Sequence, residues 1–149
     1  MLMNNNQDLF RFIEVSNKYY SVALSEVRLG RKVSHWMWYI FPIYKGLGKS
    51  ETAVKYAIQT KQEAKAYLEH PVLGVRLKEI CQTLLDLKES DPKSIFGSSD
   101  DFKLKSCMTL FLKVDPHPQS IFQKILDKFY YGRNSRKTIK IINRDWNSN

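Results

Sequence analysis

The feature that most constrains the fold of this chain is a set of apolar stripes at the spacing of an α-helix. The clearest stripe consists of Leu73, Leu77, Ile80, Cys81, Leu84 and Leu87. Residues that recur every three or four positions lie on one face of a helix, so residues 72–88 are predicted to be helical. Similar stripes run through residues 9–27, 104–111 and 121–129. Apart from the ambiguous residues 33–41, nothing before the C-terminal tail alternates as a strand would, and we predict an all-α domain of about six or seven helices.

Residues that start and stop helices divide these stripes. Asp8 is placed to cap the first helix, and Gly30 to end it. The run Thr60-Lys61-Gln62-Glu63 is a capping-box pattern, which opens a helix that must end before Pro71. Asp91-Pro92 is typical of an N-cap followed by proline at the first helical position. These signals predict short connections between closely packed helices.

Chain length and composition indicate one domain. A chain of 149 residues that is 43% apolar can bury one core and is too short for two comfortable ones. We predict a single compact domain over residues 1–149, with an ordered core of about residues 8–142 and a short irregular, frayed tail at 143–149. No apolar run approaches the length of about 18 residues that crosses a bilayer, and residues 1–8 lack the features of a signal peptide. We therefore expect a soluble cytoplasmic protein without a membrane partner.

The cysteines and histidines give no indication of a metal centre. Cys81 and Cys107 each lie inside an apolar periodic segment, which favours buried free thiols. The three histidines are scattered without the short spacing that metal sites need. No metal and no cofactor are predicted.

Positive charge is concentrated in two parts of the chain. Residues 18–49 contain six Lys or Arg and one Glu, and residues 133–149 contain five Lys or Arg and one Asp. The remaining 13 basic and 13 acidic residues cancel, so the whole excess of +9 lies in these two segments. Localised positive charge predicts an anionic partner.

The aromatic stretch SHWMWYIFP, at residues 34–42, follows the first basic segment. Ser34 could cap a helix through Phe41, although strand geometry also suits these residues, and we favour the helix. Aromatic residues at this density are most often core, which we expect of Trp36 and Trp38. The polar and basic residues around them could also form a cradle for an anion. Its members would be Arg28, Arg31, Lys32, Ser34, His35 and Trp36.

Two further motifs admit both a structural and a functional interpretation. The run Gly46-Leu47-Gly48-Lys49-Ser50 could approach a phosphate, yet it lacks the spacing of a phosphate-binding P-loop, and Ser50 could equally cap the next helix. Asp100-Asp101 could supply an acid or base, although two carboxylates after Ser99 are more economically explained as the start of a helix.

Several strings in the sequence are together characteristic of one family. They are Gly30-Arg31-Lys32, SHWMWYIFP, the run at residues 46–50, Tyr56-Ala57-Ile58, His70-Pro71-Val72-Leu73-Gly74, Ile95-Phe96-Gly97 and KLKSCMTLF at residues 103–111. The chain resembles the bacterial domain-of-unknown-function family 1810 from about residue 8 to residue 142. Ile43 departs from the pattern, in which Gln often follows the proline. The resemblance implies a compact, mainly helical, stand-alone cytoplasmic domain and no particular reaction.

Two functional hypotheses follow from the sequence. The first is a protein that binds a small phosphate-bearing ligand such as a nucleotide or an ADP-ribose derivative. Such a protein could also hydrolyse this ligand. Its catalytic candidates are His35 and Asp101, and its ligand-binding candidates are the six cradle residues together with Ser50. The alternative is a module that binds nucleic acid or an acidic protein through the first basic segment together with Arg133, Arg136, Lys137, Lys140 and Arg144. The sequence leaves the oligomeric state open.

Overall fold

The structure, a computed structural model, describes residues 2–147 and the side chains of residues 9–147. Within that range the chain forms α-helices and no strand, which confirms the all-α prediction. The helices are α1 (Leu2–Arg28), α2 (Met37–Ile40), α3 (Glu51–Lys55), α4 (Lys61–Glu69), α5 (Leu73–Asp86), α6 (Pro92–Phe96), α7 (Asp100–Val114), α8 (Ile121–Tyr130) and α9 (Arg136–Trp146). An isolated parallel bridge joins Tyr44 to Ile58.

These nine helices of the described range exceed the predicted six or seven. The excess arises in part from α9, where no helix was predicted, and in part from α2, α3 and α6, which have only four or five residues each. A helix of about one turn is too short to show an apolar period, so the sequence indicates it only by its cap residues. The first helix also begins at Leu2, so the predicted cap at Asp8 is wrong about where the helix starts. The side chain of Asp8 lies outside the described residues.

Several predicted helix boundaries are confirmed by hydrogen bonds. The Thr60 hydroxyl accepts from the Glu63 N–H at 3.0 Å at the start of α4. The Asp91 carboxylate accepts from the Lys93 N–H at 3.0 Å, and Pro92 is the first residue of α6. Side-chain acceptors of this kind satisfy N–H groups that have no partner inside the helix. Gly30 follows α1 with a positive φ of 76°, as expected of a residue that ends a helix.

Helix α7 forms the centre of the domain and packs against α4, α6, α8 and α9. Its buried residues include Leu104, Cys107, Met108 and Phe111, which were predicted to point inward, together with Thr109 and Leu110. Burial around most of its circumference is typical of a helix enclosed by others. Helix α5 packs against α1, α4 and α8.

The aromatic stretch leads into a single helical turn. Helix α2 contains only Met37–Ile40, which confirms helix over strand for part of residues 34–41. Ser34 does not cap this helix, since the cap position is Trp36 and no side chain bonds to the first turn. Residues 34 and 35 instead form a bend before α2.

The C-terminal segment is more regular than predicted. Helix α9 continues to Trp146, whereas the sequence predicted an irregular tail from residue 143. On the inner face of α9, Thr138 and Ile142 are buried. The Trp146 ring packs edge-on against Tyr44, with the two ring centroids 6.0 Å apart. Residues 148–149 lie outside the described range. Nowhere in residues 2–147 is a helix both long and apolar enough to cross a membrane.

Candidate functional site

A cleft of about 1070 Å³ lies between α7, the turn from α8 to α9, the start of α9 and residues 38–47. Its lining combines positive charge, apolar surface and small polar groups. The lining side chains are Lys103, Lys105, Arg133, Arg136 and Lys137; Trp38, Ile43, Leu47 and Phe102; and Ser99, Ser106, Asn134 and Ser135. None of these residues carries a carboxylate, an imidazole or a thiol.

The positive charge of the cleft is largely unneutralised. In the part of the chain that the structure describes, Lys105, Arg133, Arg136 and Lys137 form no ion pair with a carboxylate. Lys103 is the exception, because its Nζ lies 2.9 Å from an oxygen of Asp100. Clustered cations in a cleft raise the local concentration of anions.

The indole of Trp38 forms an aromatic wall of the cleft. It is half-buried, and the Nζ of Lys103 lies 4.3 Å from its ring centroid, which is a cation–π contact. A Cβ on Gly48 would lie only 2.9 Å from the Cη2 of Trp38 and 2.6 Å from the Cβ of Ala53. The glycine therefore lets the loop pack closely against the ring, which gives the motif at residues 46–50 a structural role at the cleft wall.

A group of hydroxyls fixes the start of α9 onto α7. The N–H of Ser135 donates to the Thr109 hydroxyl at 2.9 Å, and the Thr138 hydroxyl donates to the Ser135 hydroxyl at 2.8 Å. The hydroxyl of Ser106, which lines the cleft, lies 3.4 Å from that of Ser135. These bonds hold the first turn of α9, which carries Arg136 and Lys137, against the wall of the cleft.

Two residues with an unusual backbone conformation border the cleft. Ser99 has a φ of 69° and Tyr131 a φ of 58°, and in residues 2–147 they are the non-glycine residues with positive φ. Ser99 lines the cleft, and Tyr131 precedes Gly132 and Arg133, which also line it. Positive φ is costly for residues with a Cβ and is concentrated at functional sites.

Three of the predicted cradle residues, Lys32, Ser34 and Trp36, make contacts within the protein. Trp36 is 0% exposed, which confirms it as core and leaves no ring surface for a ligand. Its indole N–H donates to Oε1 of Glu26 at 2.9 Å, and the Ser34 hydroxyl donates to Oε2 at 2.6 Å. The N–H groups of Val33 and Ser34 also donate to Oε1. Glu26, which no motif in the sequence distinguishes, therefore anchors this stretch to α1.

These hydrogen bonds control the ionisation of Glu26. Burial acts to raise its pKa, but the donors from Ser34, Val33 and Trp36 outweigh burial and lower the pKa from 4.5 to about 2. Hydrogen bonds to a carboxylate favour its charged form. Glu26 is consequently ionised wherever the protein is folded at ordinary pH.

Lys32 does not line the cleft but shares an ion-pair partner, Asp100, with Lys103 of the lining. Its side chain is 7% exposed, and its Nζ pairs with Asp100 at 2.9 Å and donates to the Ser34 carbonyl at 2.7 Å. Burial acts to raise the pKa of Asp100, but Lys32 and Lys103 together lower it. Asp100 is thus held ionised between the buried Lys32 and Lys103 of the cleft.

The remaining predicted site residues lie outside the cleft lining. Arg28, Arg31 and His35 are exposed. Ser50 caps α3, because its hydroxyl accepts from the Ala53 N–H at 3.1 Å. Of the catalytic candidates, His35 and Asp101 are both absent from the lining.

Asp101 contributes structurally through its backbone. Its carbonyl accepts a short hydrogen bond from the Tyr130 hydroxyl, which ties the start of α7 to the end of α8. Its buried Oδ1 has no hydrogen-bond partner among the described residues. The described residues also contain no cluster of three His, Cys, Asp or Glu side chains that could hold a metal ion.

The sequence contains one signal for the position of this cleft. The excess of basic residues in the segment 133–149 is visible in the sequence, where it supports the alternative hypothesis and not the ligand pocket. Its members Arg133, Arg136 and Lys137 line the same cleft as Trp38. The predicted combination of aromatic wall and basic side chains is therefore present, with different basic residues.

Comparison with known proteins supports the fold and offers no reaction. The chain is similar to the conserved hypothetical protein Rv1873 from Mycobacterium tuberculosis, whose crystal structure is known. The two are 41% identical, with a TM-score of 0.86 over 90% of this chain and 95% of that one. No curated protein matches the chain. Residues 6–142 match the family described as protein of unknown function (DUF1810), and the chain belongs to that family.

Proposed function

We propose that this protein binds a small phosphate-bearing ligand, such as a nucleotide or an ADP-ribose derivative, in the cleft between α7 and α9. The observation that carries the proposal is the lining of five cations without a carboxylate, next to the indole of Trp38. Arginine offers planar pairs of N–H donors that match phosphate, and lysine adds a compact charge. Arg133, Arg136 and Lys137 are the proposed phosphate partners.

The shape and apolar surface of the cleft also support an organic ligand over an inorganic anion. Its volume of about 1070 Å³ is slightly above the range of about 300–1,000 Å³ that is usual for ligand pockets. Trp38, Ile43, Leu47 and Phe102 provide apolar surface in the same lining as the charged residues. A ring attached to a phosphate would use both kinds of surface.

The proposal is restricted to binding. Hydrolysis of a phosphate ester usually needs a group that takes or gives a proton within hydrogen-bond reach of the substrate. Among the described residues, the lining contains no carboxylate or imidazole, and His35 and Asp101 lie outside it. Any reaction would have to depend on a lysine of the lining or on groups that the ligand itself brings.

A thermal-shift panel with matched variants tests the proposal. ADP-ribose, ADP, AMP, NAD and a sugar phosphate would each be added to the wild-type protein and to Arg136→Ala and Arg31→Ala. A ligand at 100 times its Kd adds about 2.7 kcal/mol, which raises the Tm by several degrees in a domain of this size. Arg136→Ala should abolish most of the shift, because it removes a lining cation.

Arg31→Ala is the control, since it removes the same charge from an exposed position outside the cleft. It should leave the shift unchanged. No shift with any compound would overturn the proposal. An equal loss in both variants would show that binding follows net charge and not this cleft.

A further inference from the structure

The outward face of α9 is entirely basic or amide. The exposed residues of α9 and of its C-cap, Asn147, are Arg136, Lys137, Lys140, Asn143, Arg144 and Asn147. At about 100° per residue these side chains fall within one arc of the helix, while Thr138 and Ile142 point into the core. The face combines four cations with two amides, and one of the cations, Arg144, also pairs with the carboxylate of the neighbouring Asp145 at 3.4 Å. Such a composition is typical of a surface that meets a polyanion.

This face connects two clefts. The large cleft lies at the start of α9, and a smaller one of about 350 Å³ lies at its end. The smaller cleft is lined by Tyr44, Lys45, Lys61, Asp145 and Trp146, together with Gln59, Thr60 and Gln62. Residues 43–47 border both clefts, and a Cβ on Gly46 would lie 3.4 Å from the side chain of Ile141 on α9.

The two clefts share a chemical pattern. In each, a half-buried indole has a lysine ammonium above its ring: Lys103 lies 4.3 Å from the centroid of Trp38, and Lys61 lies 5.6 Å from that of Trp146. Each cleft therefore presents an aromatic ring and a cation at the same point. This pairing suits a base that carries a phosphate beside it.

We propose that α9 is the track for a short single-stranded nucleic acid, with its phosphates on the basic face and a base in the aromatic cleft at each end. The proposal rests on the proposed function, because the phosphate-binding cleft is one end of the track. Proteins that bind single strands combine a positive groove with aromatic side chains in this way. The 11 residues of α9 span about 16 Å. At the spacing of about 3.4 Å found along one strand of B-DNA this is the length of about five nucleotides, and an unstacked strand covers it with fewer.

A single strand fits these features better than a membrane or a duplex. A helix that binds a lipid surface inserts its apolar face, whereas the apolar face of α9 is buried against the domain through Ile142. The bases of a duplex are stacked on one another, so their faces could not reach Trp38 and Trp146. A strand with unstacked bases has no such restriction.

Fluorescence anisotropy with oligothymidylates tests this inference. Thymidine monophosphate, a strand of about six nucleotides and a duplex of equal length would be compared by direct titration or competition. The strand should bind at least roughly tenfold more tightly than the monophosphate, because it occupies the whole track. Its affinity should fall with salt at a slope of about −0.7 per neutralised phosphate.

Lys140→Gln/Arg144→Gln is the decisive variant, since both positions lie on the track and in neither cleft. It should weaken binding of the strand at least fivefold, reduce the salt slope by up to about 1.4, and leave binding of the monophosphate unchanged. Arg136→Ala should weaken both ligands. Lys124→Gln, at an exposed position of α8, is the control and should change neither.

The outcomes separate the two proposals. If the monophosphate binds and the strand is no tighter, or if Lys140→Gln/Arg144→Gln leaves the strand unaffected, the track is wrong and the small-ligand proposal stands. If neither the monophosphate nor any compound of the thermal-shift panel binds, the small-ligand proposal fails, and the track, which rests on it, fails with it. Tighter binding of the duplex, or of phosphatidylserine vesicles, would also overturn the track.

Discussion

The indole N–H of Trp36 donates a 2.9 Å hydrogen bond to Oε1 of Glu26, a residue of the preceding helix. The same carboxylate accepts the N–H groups of Val33 and Ser34 and the hydroxyl of Ser34. One side chain thus holds the whole turn that leads from α1 to α2. Because that turn precedes Trp38 directly, Glu26 also positions the aromatic wall of the cleft.

Replacement of Glu26 should destabilise the protein strongly. In Glu26→Ala, four donors lose their acceptor, and the indole N–H of the fully buried Trp36 has no other partner in the described structure. A buried donor without a partner costs about 1–3 kcal/mol, so a loss of about 2–4 kcal/mol in the free energy of unfolding is expected. Urea denaturation measures it.

Glu14→Ala is the control for this prediction. Glu14 lies on the same helix at an exposed position. Its replacement should change stability by less than about 0.5 kcal/mol. Equal stability of Glu26→Ala and Glu14→Ala would show that the anchor has no energetic role.

Acid should weaken the same anchor. The pKa of Glu26 is lowered from 4.5 to about 2 in the folded protein. Its contribution is therefore complete above pH 4.5 and is lost as the pH falls through 4.5 toward 2, since the unfolded chain takes up the proton first. The difference in unfolding free energy between wild type and Glu26→Gln should be constant near neutral pH and shrink below pH 4.5.

Denaturation curves recorded at a series of pH values would measure this difference. The ionisation of Asp100 is common to both proteins and cancels in the comparison. A difference that stays the same down to about pH 3 would mean that folding does not lower the pKa of Glu26.

The sequence predicted the long helices because their apolar stripes extend over several turns. Helix α5 illustrates this, since its buried residues Leu73, Leu77 and Ile80 repeat at helical spacing. Helix α9 was not predicted in this way, in part because its inner face is not uniformly apolar. Thr138 on that face is buried and Asp145 is half-buried. A pattern of hydrophobicity cannot identify a helix whose inner face is partly polar.

The cleft has basic residues other than those of the cradle that the sequence predicted. Basic residues close in sequence to Trp36 suggested the cradle, yet one of them, Lys32, pairs with Asp100, which is distant in sequence. The cleft instead joins Trp38 to Arg133 and Arg136, which only the packing of α9 against α7 brings together. A contact between segments so far apart in the chain cannot be predicted from the local sequence.

The junction of α4 and α5 should not tolerate a side chain at Gly74. A Cβ there would overlap the carbonyl oxygen of Leu68, a backbone atom that cannot move independently. Gly74→Ala should therefore destabilise the protein by about 3 kcal/mol or more, because the two helices must separate. Val75→Ala, a neighbouring change at a 62% exposed position, should cost less than about 0.5 kcal/mol. Thermal melts of both variants test this, and similar Tm values would contradict it.

Lys128 should stabilise the end of α5 from α8. Its Nζ donates to the carbonyls of Leu84 and Leu85 at 2.9 and 3.0 Å, and also to that of Leu87. Burial lowers the pKa of Lys128. Lys128→Met keeps the length of the side chain but removes the donors, and a loss of about 1–3 kcal/mol is expected. Lys124→Met, at an exposed position of the same helix, should be nearly neutral. Chemical denaturation distinguishes the two, and an equal effect would rule out the cap.

The two thiols should be inert in the folded protein. Cys81 and Cys107 are both 0% exposed, and the sulfur of Cys81 lies 3.7 Å from that of Met108. Burial raises the pKa of both thiols, and Cys81 adds to the effect at Cys107. Because the thiolate is the reactive form, neither should react with a disulfide reagent until the core opens.

Labelling kinetics with such a reagent test this inertness. The rate for the wild-type protein should be far below that of Ser98→Cys, whose added thiol would lie at an exposed position. It should also rise with urea in parallel with the equilibrium constant for unfolding, because only opened molecules react. Native labelling of Cys81 or Cys107 as fast as that of Ser98→Cys would mean that α5 and α7 do not enclose a closed core.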